Sequence, residues 1–301
     1  MRQVLWVDRG QSASLDKHID DAPAPVCMGV ARLGSLQTAG TTLTVWMQLR
    51  GSGWVEAKEG KFRLCQGEWI AFERESRPLI QAGRDGLCIG VSLDAEALRM
   101  LGTLADCSLY AGHGRMSHSE ARLALHLWRA ALEPHDGAQH PLRPLLLHLA
   151  ALQSEMSGGV QRCPGRSRVR KRQVFGRMQR ARMYLEGNSH RVVRIGELAE
   201  LTNFSSWYLS KTFQSLYEES PQSLSARLRL ERAASLLRDT DMMIGEVASA
   251  SGFDNCCSFA RAFRARFGMS ASHYREEGEL LSPRSAKSPV ALRKKFGVAR
   301  T

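Results

Sequence analysis

The chain has 301 residues, 43% of them hydrophobic, which is enough to fill the cores of two domains of ordinary size. No run of 18 apolar residues occurs, and residues 1–10 mix Arg2, Asp8 and Arg9 into short apolar pieces. That excludes a membrane-spanning helix and a secretory leader and predicts a cytoplasmic protein. The formal net charge of +12 is confined to one half: residues 1–157 hold 16 Lys and Arg against 17 Asp and Glu, and residues 158–301 hold 26 against 13. A basic half beside a nearly neutral one suits phosphate binding, although a plainly solvated basic surface would carry the same charge.

The seven cysteines (Cys27, Cys65, Cys88, Cys107, Cys163, Cys256 and Cys257) are odd in number and form no Cys-x-x-Cys pair. Reduced thiols are therefore expected, not a disulfide framework or a zinc ribbon.

From Thr41 the chain alternates: Leu43, Val45, Met47 and Leu49 are separated by Thr44, Trp46 and Gln48, and Arg50-Gly51-Ser52-Gly53 closes the run as a turn. Short apolar stretches follow at residues 54–57, 62–65, 69–72 and 87–93, divided by Glu59-Gly60, Gln66-Gly67 and Arg84-Asp85-Gly86. Strands at this spacing predict a small barrel or sandwich. Helical spacing starts after Asp94, a candidate cap for residues 95–101, and continues over 117–132 and 142–156. In the last helix Leu145, Leu149, Leu152 and Met156 form a narrow stripe, which could pack on its own domain or on a second subunit. Residues 157–172 combine Gly, Pro and a dense basic run without periodicity, as a linker does. Its arginines could touch phosphate or simply be solvated.

The second half nearly repeats itself. Ile195-Gly196-Glu197-Leu198-Ala199 returns 49 residues later as Ile244-Gly245-Glu246-Val247-Ala248. Each copy leads into a turn, with Asn203 or Gly252 as the residue tolerant of positive φ, then Phe204 or Phe253 as a core plug. Ser205 or Asp254 can cap a second helix, which buries Leu209 and Phe213 in one copy and Phe259 and Phe263 in the other. Between the copies, Ser220 and Pro221 open a helix whose stripe is Ala226, Leu230, Ala233 and Leu237, ending near Asp239. A helix before the first copy sets Val174, Met178, Ala181 and Leu185 inward and leaves Arg177, Arg180 and Arg182 solvated.

Residues 174–275 resemble the DNA-binding domain of the AraC/XylS family. The likeness rests on Leu198-Ala199, Leu209, Phe213, Arg229-Leu230, Ala233, Leu236-Leu237, Ile244, Val247-Ala248, Gly252-Phe253, Phe259, Arg261, Phe263, Phe267-Gly268 and Tyr274-Arg275. Glu218 stands where that family has Gly, Ala271 where it has Pro, and Cys256-Cys257 open the second copy's last helix. The resemblance implies two recognition helices entering successive major-groove segments about 34 Å apart. It places Ser206, Trp207, Ser210 and Lys211 of the first helix, and Asn255, Cys257 and Arg261 of the second, at the base-reading positions. Lys and Arg suit guanine O6 and N7, and an indole suits a thymine methyl. Each has a plainer reading: Arg261 in an intradomain ion pair, Trp207 partly buried beside Phe204, and Cys256 and Cys257 as small surface residues without a redox role.

The same resemblance makes the N-terminal half similar to a cupin-like β-barrel that senses a small molecule or dimerises. The expected fold class is α+β. Residues 1–157 form the cupin-like barrel with flanking helices, 158–172 a basic linker, 173–277 an all-α domain with two helix-turn-helix units, and 278–301 a disordered basic tail. No enzyme, metal or cofactor is expected: residues 40–93 lack histidine, His113, His118 and His126 lie in helical or loop sequence, and no phosphate-binding loop or nucleophile elbow is present. The implied function is a sequence-specific transcription regulator, an activator or a repressor. Its expected partners are double-stranded DNA, RNA polymerase, a second copy of itself and a small-molecule effector. The alternative is a regulator whose first half only dimerises or binds a protein.

Overall fold

The computed structural model describes residues 4–16, 26–40, 42–105, 108–133 and 141–281. The chain packs as two compact units, Met1–Asn188 with Val193–Leu224, and Ser189–Val192 with Ser225–Thr301. The fold class is α+β: sheets come first and the C-terminal region is helical.

In the first unit, a six-stranded sheet runs in the order β1 (Val4–Val7), β3 (Val26–Ala31), β10 (Leu87–Leu93), β5 (Leu43–Arg50), β8 (Glu68–Glu73), β11 (Gly112–Arg115). A five-stranded sheet runs β2 (Ser12–Asp16), β4 (Ser35–Ala39), β9 (Leu79–Ala82), β6 (Ser52–Ala57), β7 (Gly60–Cys65). Both inner faces share one core, in which Met28, Leu36, Trp46, Phe72 and Ile80 are fully buried and Phe62 meets Phe72 edge-on at 5.7 Å. β6 and β7 keep the one-sided alternation of a sheet with a wet outer face: Val55, Phe62 and Leu64 point in, and Trp54, Lys61 and Arg63 point out. β3 and β5 are buried on both faces, because α1 (Ala95–Ala105), α2 (His118–Ala130) and α3 (Arg143–Leu152) lay Leu101, Trp128, Leu145 and Leu149 over Val45, Met47 and Val91.

Asp94 and Ser117 cap α1 and α2 as expected: Asp94 Oδ1 accepts from Ala97 N at 2.8 Å, and Ser117 and Glu120 form a capping box. The helix expected over 142–156 is broken at Gln153. Its buried amide clasps the Tyr110 backbone, accepting from Tyr110 N at 2.9 Å and donating to Tyr110 O at 3.0 Å. The chain resumes as α4 (Ser154–Ser157), and Leu145 and Leu149 are spent on their own core, not on an exposed seam. β11 is Gly-His-Gly-Arg, which shows no apolar alternation, and it puts His113 on a strand where helical or loop sequence was expected. The His113 imidazole lies 3.9 Å from Glu68 and, with burial opposing it, holds that carboxyl below its usual range. Among the described residues no cluster of His, Cys, Asp or Glu could hold a metal, and no helix is long and apolar enough to cross a membrane. Cys27, Cys65, Cys88, Cys163, Cys256 and Cys257 are thiols outside any disulfide, with burial pushing Cys88 up to about 12.

α5 (Arg168–Gly187) starts inside the basic segment read as a linker, capped by Ser167, whose hydroxyl accepts from Arg170 N at 3.2 Å. It buries Val174, Met178, Ala181 and Leu185 as expected. Arg180 is a correction. Only 11% of its side chain is exposed, and it pairs with Glu59 at 3.2 Å and Glu75 at 2.8 Å, both from the β-sheet half. Glu59, 1% exposed, also accepts from Ser76 Oγ, and its backbone carbonyl accepts from Asn188 Nδ2 at 2.8 Å. Arg177 does not float free either: it is half-buried over the Phe204 ring, and Arg182 pairs with Glu186. Sequence periodicity marked the polar side of α5 but could not show that a buried carboxylate faces it. The unit closes with α6 (Ile195–Thr202) and α7 (Ser206–Tyr217).

α8 (Pro221–Asp239) carries the chain into the second unit, where α9 (Ile244–Ala250), α10 (Cys256–Phe267) and α11 (Ala271–Leu281) complete it. Ala233, Leu237, Val247, Ala248, Phe259 and Phe263 are the centre of its core. α11 runs four residues into the segment expected to be disordered from 278, and the remainder of that segment lies outside the described residues.

Candidate nucleic-acid interface

Each repeated sequence folds as a short helix, a sharp turn and a longer helix. In the first copy Leu198, Leu209 and Phe213 are buried. Asn203 takes the left-handed conformation at φ 53°, Phe204 N donates back to Ala199 O at 3.1 Å, and the Ser205 hydroxyl caps α7 by accepting from Tyr208 N at 3.2 Å. Phe204 is only partly buried and rests on Tyr208 with ring centroids 4.9 Å apart. The second copy repeats the pattern: Gly252 at φ 74°, Phe253 N to Ala248 O at 3.0 Å, and Phe259 and Phe263 buried. Here the cap is Asn255, not Asp254. Asn255 Oδ1 accepts from Ser258 N at 2.8 Å, because α10 begins one residue later than its spacing suggests.

Burying one side of α7 leaves Ser206, Trp207 and Lys211 exposed and Ser210 half-exposed along its first two turns. Trp207 is 69% exposed, so it is not tucked against Phe204, and the Lys211 ammonium sits 4.9 Å from the centre of its ring. On α10, Asn255, Cys257 and Arg261 are all exposed. Arg261 makes no ion pair among the described residues, which removes the intradomain salt bridge as its reason for being there. Asn255 has a structural duty in the cap, so its amide is only partly free to meet another molecule.

Two motif arginines act inside the fold. Arg229 donates to Gly252 O at 2.8 Å and stacks over Phe253 at 4.6 Å, fixing the second turn from behind. Arg275 donates to Met242 O at 2.6 Å and to Leu237 O at 3.4 Å, pinning the entry to α9. Both were legible as motif residues, but sequence could not separate a clamp from a DNA contact.

Glu218 ends α7 at φ 60°, where the corresponding position after α10 is Gly268 at φ 78°. A side chain in the left-handed region costs about 1 kcal/mol or more relative to glycine. Glu218→Gly should therefore raise the midpoint of thermal unfolding by about 2–4 °C. The exposed Arg162–Glu218 pair lost in exchange contributes little. A lowered midpoint in a thermal melt would show that Glu218 is held by something stronger than this strain. Ser270 and Ala271 open α11 as Ser220 and Pro221 open α8, each serine hydroxyl accepting from the amide three residues on, so proline's absence at 271 leaves the helix start intact.

The helix-turn-helix domain family matches residues 198–277. The transcriptional regulator CdhR of Pseudomonas aeruginosa is 33% identical over 129 residues, 38% of this chain and 38% of its own length. The chain thus matches well under two thirds of that relative. GbdR of the same organism is 26% identical over 305 residues, covering 94% of this chain and 74% of its own. Among solved structures, a probable AraC family transcriptional regulator from Rhodopseudomonas palustris is 33% identical over 34% of this chain and 96% of its own, with a TM-score of 0.32. The duplicated, capped helix-turn-helix with its Gly252-Phe253 and Phe259-x-Arg261-x-Phe263 core is an AraC-type DNA-binding domain, and the chain is a helix-turn-helix transcription regulator similar to those of the AraC/XylS family.

Proposed function

We propose that residues 173–277 read a specific double-stranded DNA site through α7 and α10, and that the sheet-bearing half tunes this reading in response to a small molecule. What carries the proposal is the segregation of each second helix. Leu209 and Phe213, or Phe259 and Phe263, anchor it, while Trp207 with Lys211, or Cys257 with Arg261, stand exposed and free of ion pairs. In this reading Ser206, Ser210 and Asn255 add hydrogen bonds to base edges or phosphate, and Lys211 and Arg261 read guanine. The protein acts in the cytoplasm on RNA polymerase and carries no catalysis of its own. Dimerisation rests on family likeness alone, since the α3 stripe is occupied internally.

The direct test is selection of bound sequences from random DNA with the intact protein, followed by affinity measured against salt. The basic C-terminal half predicts an enriched motif spanning two major-groove segments. If six or more phosphates are neutralised, affinity should fall about a thousandfold or more between 50 and 200 mM salt. No enriched motif, or affinity indifferent to salt, would overturn the proposal.

A further inference from the structure

Resting on the reading of an effector-tuned regulator, the geometry points to where the effector sits: a cavity of about 290 Å³ within the first unit, against the C-terminal end of α7. Its walls are Met156, Phe175, Met183 and Leu216, with Gly112 of β11 forming one side. The volume is that of a site for a small metabolite, and the apolar walls are joined by His113, Glu155, Arg162 and Glu186, so the lining is mixed apolar and polar.

Gln179 supplies the second observation. It lines this cavity, is only 2% exposed, and has its Oε1 taken by the Tyr217 hydroxyl, which donates to it at 2.8 Å. Its Nε2 has no partner. A buried amide donor left unsatisfied is costly, and an acceptor oxygen placed in the cavity would relieve it. Arg182, already held by Glu186 at 3.0 Å, stands at the same wall over the Tyr217 ring, 5.1 Å away. The donor therefore selects a ligand with a carbonyl or carboxylate oxygen, and the thioether and ring walls select an apolar body. A wider cleft of about 660 Å³ past Gln37, Lys58 and Arg77 has no such unpartnered buried donor in its lining.

The placement gives the ligand a lever. Leu216 and Tyr217 end α7, the helix that carries Ser206 to Lys211 at its other end, and Gly112 belongs to the sheet. From Ser210 to Leu216 is about 9 Å of rigid helix. A molecule touching sheet, α5 and α7 together can bias how α7 is held against the sheets only by its differential affinity for the arrangements these elements adopt.

The test uses the intact protein with 3-phenylpropanoate, 3-phenylpropanamide and propylbenzene as probes, which share a body and differ in the oxygen. At least one oxygen-bearing probe should raise the unfolding midpoint by about 3 °C at ten times its Kd. The hydrocarbon should bind at least about tenfold more weakly. Gln179→Glu keeps the acceptor for Tyr217 and removes the donor, and should weaken the carboxylate about tenfold or more. Met156→Trp fills the cavity from its rim and should abolish all shifts even if Gln179→Glu folds poorly. No shift with either oxygen-bearing probe, or equal shifts in wild type and both variants, overturns the site. If the probes bind through Gln179 but leave affinity for the selected DNA unchanged, the site stands and effector control falls. If a probe alters DNA affinity equally in wild type and both variants, effector control stands and this site falls.

Discussion

Arg180→Ala should destabilise the protein by about 3–5 kcal/mol, because it strands the carboxylate of Glu59 in a site where that residue is 1% exposed. This is a large share of a typical domain's total stability. The loss belongs to the uncompensated charge more than to the attraction of the pair. Arg180→Met combined with Glu59→Gln should accordingly recover more than half of it, since the glutamine retains a partner for the Ser76 hydroxyl without a charge. The pH dependence has a defined sign. The hydrogen bond from Arg180 holds the Glu75 carboxyl below its usual range. Glu75 therefore stabilises the fold fully above about pH 5, and its contribution is lost as pH falls through the lowered folded value. In urea titrations the gap between variant and wild type should narrow only slightly in acid on that account, because Glu75 is largely exposed. A single variant costing under about 1 kcal/mol at neutral pH would mean that Glu59 finds water instead.

The second large effect is expected at the interface. Arg261→Ala should weaken binding to the selected DNA site by about 1–3 kcal/mol, roughly 5- to 150-fold, while binding to random DNA changes only slightly. Arg261→Lys should not restore the site, because a bidentate fork on guanine has no ammonium equivalent. The variant should unfold like wild type, since Arg261 is exposed and makes no ion pair among the described residues. Asn255→Ala makes the contrast: removing the cap of α10 should cost about 1 kcal/mol of stability, so its binding defect must be read together with its unfolding curve. Equal losses of Arg261→Ala on specific and random DNA would reduce Arg261 to a phosphate contact.

These two residues show how unevenly a sequence speaks about itself. Arg180 and Arg261 both sit on the polar side of an amphipathic helix, and period alone treats them alike. One is drawn into a buried pair by Glu59, 121 residues away in the chain, and the other is left to solvent. The exposed sides of α7 and α10 were legible because burying Leu209, Phe213, Phe259 and Phe263 leaves the opposite side to solvent, whereas the choice of base-reading candidates on those sides came from the family resemblance. The clamping duties of Arg229 and Arg275 were not, because their acceptors are backbone carbonyls whose positions exist only after the turn has formed.

By itself, the sequence determined the repeated helix-turn-helix pattern, its turn residues and its buried stripes. These are local properties, set by periodicity, caps and the positive φ that Asn203 and Gly252 accept. It also determined that the first half would be built from short strands. Only the tertiary structure decided which polar groups are solvated, where the helix over 142–156 breaks, and that α5, α6 and α7 share a packing unit with the sheets. Those outcomes depend on partners far apart in the chain, such as Gln153 with Tyr110 and Glu59 with Arg180, and the free energy of such a pair is set by burial that no local window contains.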